Sequence, residues 1–217
     1  MIKDFVDHTF IVNLDERTDR WAQVQEELSK TDIPEYERFS AIKPSFDILV
    51  EEEYNNMRLA GRNKNLYRIA ACGVKRSHIK IIQKAKKKLY KQILILEDDV
   101  VFDENANNIF QNAIVNLPEN WSMFYLGGAH HKPYISISEN LCQIQRTYAA
   151  HAYIVKENIY DIILEKSFNS GYEIDVFYAN EIHPNFSCYC VRPHIAWQRA
   201  GFSNILNTNK NYTILRE

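Results

Sequence analysis

The sequence predicts an α/β fold around a mostly parallel central sheet, and three observations carry that expectation. Ile93-Leu94-Ile95-Leu96 is an aliphatic run too short for a helix, and it stops at Glu97-Asp98-Asp99. Such a run reads as a strand buried on both faces. Thr9-Phe10-Ile11-Val12-Asn13-Leu14 is apolar and β-branched, and beyond the polar stretch Asp15–Arg20 the residues Trp21, Val24 and Leu28 recur at helical spacing. Strand, loop and helix in that order begin an α/β unit. Finally, Trp121–Leu126 is another buried-strand run, preceded by a helical stretch from Ile109 to Leu117 and ended by Gly127-Gly128.

The remaining elements follow in order. Thr18 is placed to cap the first long helix, with Asp19 favourable in its first turn. Tyr36–Ala41 reads as a second short strand, followed by a loop at Lys43-Pro44. Asp47 to Asn65 is polar with weak helical character and a stop at Gly61. From Cys72 to Tyr90 the pattern is helical, with Ile82, Ala85 and Leu89 on an apolar stripe and Lys80, Lys84, Lys87 and Lys91 along another face. No aromatic residues interleave with that lysine row for stacking on bases, so it reads as a solvated face. His130 and His131 fall in the loop after the glycine pair, and Tyr134–Ser138 with Cys142–Thr147 predicts a small antiparallel excursion. Ala150–Val155 returns to the core, Glu157–Phe168 is helical, and Gly171–Asp175 precedes a helix over Val176–Ile182. The tail holds Cys188–Val191, Pro193–Gln198 and Phe202–Ile205. With no repeat, low-complexity tract or linker, a single domain over residues 1–217 is expected.

Composition narrows the function classes. At 217 residues and 46% hydrophobic content the chain can bury one sizeable core. A formal net charge of -2 lacks the basic surplus that polynucleotide binding uses, so no nucleic-acid partner is expected. No apolar run is long enough to span a bilayer, and Met1-Ile2-Lys3-Asp4-Phe5 lacks the apolar core of a signal peptide, which predicts a cytoplasmic protein without a transmembrane segment. Cys72, Cys142, Cys188 and Cys190 contain no CxxC pair, which speaks against a zinc site and predicts reduced, buried thiols.

The acidic strand end is the candidate site. Open α/β sheets bind ligands beyond the carboxyl ends of their strands. Three adjacent carboxylates there repel one another unless a cation intervenes, and hard oxygen donors suit manganese or magnesium. In extended geometry Glu97 and Asp99 share a face and Asp98 points away. The plain alternative is a hydrated acidic loop. Arg17 and Arg20 would lie on the same rim and can meet a phosphate or a base; surface charge is their alternative role.

Four stretches together resemble glycosyltransferase family 25, which holds lipopolysaccharide and procollagen galactosyltransferases. Ile11-Val12-Asn13-Leu14 with Arg17 and Arg20 looks like its first strand and following turn. Cys72-Gly73-Val74-Lys75-Arg76-Ser77-His78 resembles its small-residue segment ending in Ser-His, and Ile95–Val100 its acidic strand end. Pro193–Gln198 and Phe202-Ser203-Asn204-Ile205 look like its Pro-x-x-x-x-Gln and Ser-Asp-Ile elements. The chain departs from the pattern at Lys43-Pro44, where Asp-Gly is usual, at Ile69-Ala70-Ala71, where a Glu is frequent, and at Asn204. The departures fall at donor contacts.

The resemblance implies a GT-A-type nucleotide-sugar-binding fold. It implies an inverting transfer of a hexose, galactose or glucose, from a UDP-sugar to a hydroxyl on a glycan or a collagen-like protein. Manganese, or magnesium, would be held by Asp99 and Glu97. Asn13, Leu14, Arg17, Arg20, His78, Asp98, Gln198 and Ser203 would bind the donor. Inversion needs a base on the acceptor hydroxyl. Asp175 is the candidate ahead of Glu173 and Glu181, with a helix cap as its alternative role. Two other readings compete: a sugar-nucleotide-binding scaffold without turnover, and a metal-dependent nuclease or phosphatase. The latter would want more dispersed acidic residues and a basic surplus.

Overall fold

A computed structural model describes residues 2–33, 35–59, 63–203 and 208–211, with the side chains of Phe202, Ser203 and Lys210 left aside. The chain begins with a short helix α1 (Ile2–Phe5), strand β1 (His8–Asn13) and helix α2 (Thr18–Leu28). Strand β2 (Glu37–Ser40) precedes two single turns of 3-10 helix at residues 46–48 and 51–53, then the long helix α3 (Lys64–Lys87). Next come β3 (Gln92–Glu97), β4 (Val100–Phe102), α4 (Ala106–Val115), β5 (Met123–Tyr125) and β6 (Ala129–His130). Strands β7 (Ile135–Ser138), β8 (Leu141–Gln143), β9 (Thr147–Tyr148) and β10 (Ala152–Lys156) lead to α5 (Tyr160–Lys166) and α6 (Ile174–Phe177), the latter prolonged by a π-helical turn at residues 178–182. The last strands are β11 (Cys188–Val191), β12 (Ala196–Gln198), β13 (Gly201–Ser203) and β14 (Thr208–Lys210).

The central sheet has eight strands in the order β2-β1-β3-β10-β5-β11-β8-β7. β1 pairs parallel with β2 and β3, and β11 parallel with β5, while β10 runs antiparallel between β3 and β5 and β8 antiparallel between β11 and β7. All strands of this sheet except β10 and β8 therefore share one direction. The opening strand and the strand leading to Glu97 are parallel neighbours, with Val12 opposite Glu97, so their carboxyl ends share a rim. The excursion expected at residues 134–147 is part of this sheet, because β8 pairs with β11 and brings β7 with it.

Alternation along the strands builds two cores. Phe10, Val12, Ile93 and Ile95 face Ile81, Ile82 and Ala85 of α3, together with Ile163 and Phe177. Ile11, Leu94 and Leu96 face Val24 and Leu28 of α2 and Phe110 and Ala113 of α4. Both faces of the sheet are covered, which is why β3 reads as an unbroken aliphatic run.

Two boundaries differ from the sequence expectation. Helix α3 starts at Lys64 because the Asn63 side chain accepts hydrogen bonds from the Asn65 and Leu66 amides at 3.1 Å each. Thr18 lies within the first turn of α2 and Arg17 occupies the cap position, making no side-chain cap. Gly61 and Asn204 lie outside the described residues.

Candidate functional site

Glu97 ends β3, Asp98 and Asp99 form a turn, and β4 leaves antiparallel to β12, with Gln198 opposite Val100. That strand pair brings the Gln198 amide to the acidic turn, where its Nε2 is 3.3 Å from Glu97 and 3.5 Å from Asp99. The Arg199 amide holds the Asp99 carbonyl at 2.7 Å. Glu97 and Asp99 thus share a side, as alternation predicts. Asp98 turns the other way and is 8% exposed. Its carboxylate accepts from Asn13 Nδ2 at 2.6 Å and from Arg20 Nη1 at 2.8 Å.

Positive charge is present but unevenly shared. Arg20 lies 3.4 Å from Asp99, farther than from Asp98. Burial first, and then the neighbouring carboxylates, push Glu97 up to about 8. Asp99 is pushed up to about 6, by burial against the opposing pull of Arg20. Asp175 is among the charges that raise Glu97, so it lies near enough for its field to reach that carboxylate.

Asn13 is the hub of the opposite wall. It is 1% exposed, donates to Asp98 and to the Arg17 carbonyl, and accepts from Arg38 Nε and Nη2 at 3.0 and 2.6 Å. Arg38 also lies over the Trp21 ring, 5.0 Å from its centroid. The Leu14 carbonyl accepts from the Arg17 amide at 2.8 Å and closes the turn that presents this loop. The Arg17 guanidinium pairs with Asp19 at 2.8 Å on the outer rim.

Asp175 sits in the first turn of α6 with its side chain 21% exposed. Its Oδ1 accepts from the Val176 amide at 2.9 Å and its Oδ2 from the Ala149 amide at 3.3 Å, while Arg58 stands 3.4 Å away. Burial raises its pKa above the ordinary aspartate value against the pull of Arg58. Strand β10 makes this possible. Because β10 runs against its neighbours, its start, not its end, arrives at the carboxyl rim, and the Glu97 amide donates to the His151 carbonyl there at 2.8 Å.

Several expected site residues have other duties. His78, expected at the donor, is fully buried in α3, its Nδ1 lies 2.8 Å from the Tyr153 hydroxyl, and burial lowers its pKa to about 4. Asp98, expected at the donor, has its two oxygens engaged by Asn13 and Arg20 and braces the acidic turn against β1 and α2. Glu173 is 6% exposed and accepts from the Tyr67 hydroxyl at 2.5 Å and the Arg58 amide at 3.1 Å, a structural anchor. The Ser203 side chain lies outside the described residues.

Sequence reasoning missed Arg38 and Arg58. Arg38 lies on a strand whose neighbour could be named only once β1 and β2 were paired. Arg58 sits in the poorly patterned stretch before α3, and over the Tyr148 ring at 4.9 Å it links that stretch to Asp175.

Among the described residues no helix is long and apolar enough to cross a membrane. Comparison with curated proteins gives no match. Among solved structures, a glycosyltransferase involved in the glycosylation of the major capsid of PBCV-1 is similar over 91% of this chain and 94% of its own, at 15% identity and a TM-score of 0.50. A197 from STIV matches over 84% and 81% at 14% identity and a TM-score of 0.46. Mannose-1-phosphate geranyltransferase from Thermus thermophilus matches over 85% and 73% at 10% identity and a TM-score of 0.42. The first of these bears on the fold alone, in agreement with the α/β architecture expected. The model of glycosyltransferase family 25, described as LPS biosynthesis protein, matches residues 6–197, and the chain belongs to that family.

Proposed function

We propose that this chain is an inverting hexosyltransferase that moves galactose or glucose from a UDP-sugar to a hydroxyl of a glycan or a collagen-like protein, as a single cytoplasmic domain. The observation that carries the reading is the pair Glu97 and Asp99 at the carboxyl rim of the sheet, both beside the Gln198 amide, with Asp175 near enough for its charge to act on Glu97.

The donor set fits a hard divalent cation, manganese or magnesium. Glu97 and Asp99 offer oxygen ligands on the same side of the turn, and both carboxylates are raised by burial and by repulsion that Arg20 offsets only in part. When bound there, the ion would supply charge to a departing diphosphate. The protein's own residues do the rest. Arg17, Arg20 and the Leu14–Arg17 turn shape the nucleotide wall, and Asn13 holds that wall to Asp98. Gln198 offers an amide donor between the two ligands.

In the transfer, the acceptor oxygen attacks the anomeric carbon from the face opposite the diphosphate. The carbon–oxygen bond to the diphosphate breaks, and its electron pair leaves with UDP. Asp175 takes the acceptor proton, and the raised pKa of its carboxylate suits a base better than an ordinary aspartate.

The test is Asp99→Asn, which removes ligand charge with little change of shape. The variant should keep the wild-type circular dichroism spectrum and lose manganese-dependent UDP binding by calorimetry. Equal UDP affinity with and without manganese in wild type and variant alike would overturn the assignment. A scaffold without turnover would bind UDP-sugar normally and show neither transfer nor donor hydrolysis.

A further inference from the structure

Away from the acidic turn, the fold gathers a second set of ligating side chains. His130 of β6, Cys190 of β11 and His194 of the following loop place one nitrogen or sulfur each within 4.8 Å of one another. His130 Nε2 and His194 Nε2 face each other at 3.2 Å. Two nitrogens bound at ordinary zinc distances on a tetrahedral ion stand about 3.3 Å apart. Cys142 of β8 stands beside the group. It is the direct antiparallel partner of Cys190, and its thiol donates to the Cys190 carbonyl at 3.5 Å. The Cys142 and Cys190 thiols are buried and free of any disulfide.

The surroundings are those of ligands held in place. The His130 Nδ1 is 2.7 Å from the buried Thr147 hydroxyl, which fixes the ring and turns Nε2 toward the cluster. Such an outer hydrogen bond on the remote ring nitrogen is the usual companion of a metal-binding histidine. Thr147 lies opposite His130 in the β6–β9 pair, so the ring and its anchor are set by one register. Two thiolates and two imidazoles are a soft to borderline donor set that selects zinc over magnesium or manganese.

We propose that Cys142, Cys190, His130 and His194 bind one zinc ion in a closed tetrahedral site, separate from the carboxylate site. With four protein ligands it has no open position and is structural. It ties the loop after β5 and the strands β8 and β11 to the segment that runs from His194 into β12. Gln198, four residues on, is the side chain that β12 presents to Glu97 and Asp99. Zinc would therefore fix one wall of the cleft from behind.

The chain is produced in zinc-supplemented medium, desalted, and its metal measured by mass spectrometry, and reduced apoprotein is titrated with cobalt alone. The expected result is about one zinc per chain and, with cobalt, the visible bands of a tetrahedral ion plus thiolate-to-metal charge transfer. Carboxylate ligands at Glu97 and Asp99 cannot give that charge-transfer absorption. Cys190→Ser and His194→Ala should each lose the retained zinc at least tenfold, while His131→Ala and Asp99→Asn retain it. Should Cys190→Ser fail to fold, the wild-type cobalt titration still decides. Absence of retained zinc together with a cobalt spectrum lacking thiolate absorption overturns the proposal. So does a Cys142–Cys190 disulfide in non-reduced peptide maps of fresh protein, or a thiolate–cobalt signal that survives in the double variant Cys142→Ser, Cys190→Ser.

Discussion

Asp175→Asn separates a base from a brace because its two expected effects differ in size. In the structure the carboxylate has three partners: the Val176 amide, the Ala149 amide and the Arg58 guanidinium. Asparagine keeps one amide contact through its single carbonyl oxygen, the shorter one to Val176, and gives up the 3.3 Å contact to Ala149. It also loses the ion pair, which spans 3.4 Å with an arginine side chain 48% exposed. A pair so open to water contributes at most about 1 kcal/mol. Relief of the buried charge offsets part of that loss. The melting temperature should therefore fall by no more than about 2–4 °C, the shift expected for 1 kcal/mol in a domain of this size. Loss of a general base is worth about 100- to 10,000-fold in rate, or about 2.7–5.4 kcal/mol in the barrier.

The assay is transfer from a UDP-hexose to an acceptor hydroxyl, with donor KM and thermal melting measured on the same preparations. Turnover should collapse while donor KM holds, since the base acts only as the hydroxyl attacks. The acid limb of the wild-type pH–rate profile should lie above the ordinary aspartate range, in the direction burial moves Asp175. Transfer within threefold of wild type, with an unchanged pH profile, would refute the assignment and leave Asp175 as the anchor of Arg58.

Two further outcomes follow from the acidic turn. The folded-state pKa of Glu97 is raised from 4.5 to about 8, so its contribution to stability is fully present below about 4.5 and is lost as pH rises toward 8. In chelator, Glu97→Gln should then gain stability relative to wild type between those limits, on the order of 2 kcal/mol at the upper end, and parallel melting curves across pH would rule this out. Arg20→Met leaves Asp98, 8% exposed, without its 2.8 Å partner. It should cost about 3 kcal/mol in urea unfolding at neutral pH; a cost below about 1 kcal/mol would show that Asn13 alone suffices.

What could be read in the sequence was local. An aliphatic run that halts at carboxylates exposes both a buried strand and the place where its chemistry leaves the core, and alternation then assigned Glu97 and Asp99 to one side. What could not be read depended on partners far away in the chain. His78 looks like a contact residue in sequence, yet its tyrosine partner comes from β10 and is itself bonded to a tyrosine of the turn after α6. Asp98 reads as a donor contact, yet β1 and α2 bring Asn13 and Arg20 onto its two oxygens. The four residues proposed to hold zinc are spread from position 130 to 194 with no chelating spacing, because neighbouring strands, not a short loop, bring them together.

Strand β10 has a further consequence, for how the chain is assembled during synthesis. Residues 152–156 fill the gap between β3 and β5, strands that end and begin 26 residues apart and have no direct pairing with each other. The β2-β1-β3 half can form as soon as β3 is made, but it then carries the apolar flank of Ile93–Leu96 as an open edge until residue 156 has emerged. Open edges of that kind recruit other chains. Contacts of long sequence separation also close slowly. Ribosome stalling or proteolytic nicking between residues 98 and 151 would thus leave a sticky half-sheet. Appending β10 as a free peptide to such a fragment is the natural way to cap it.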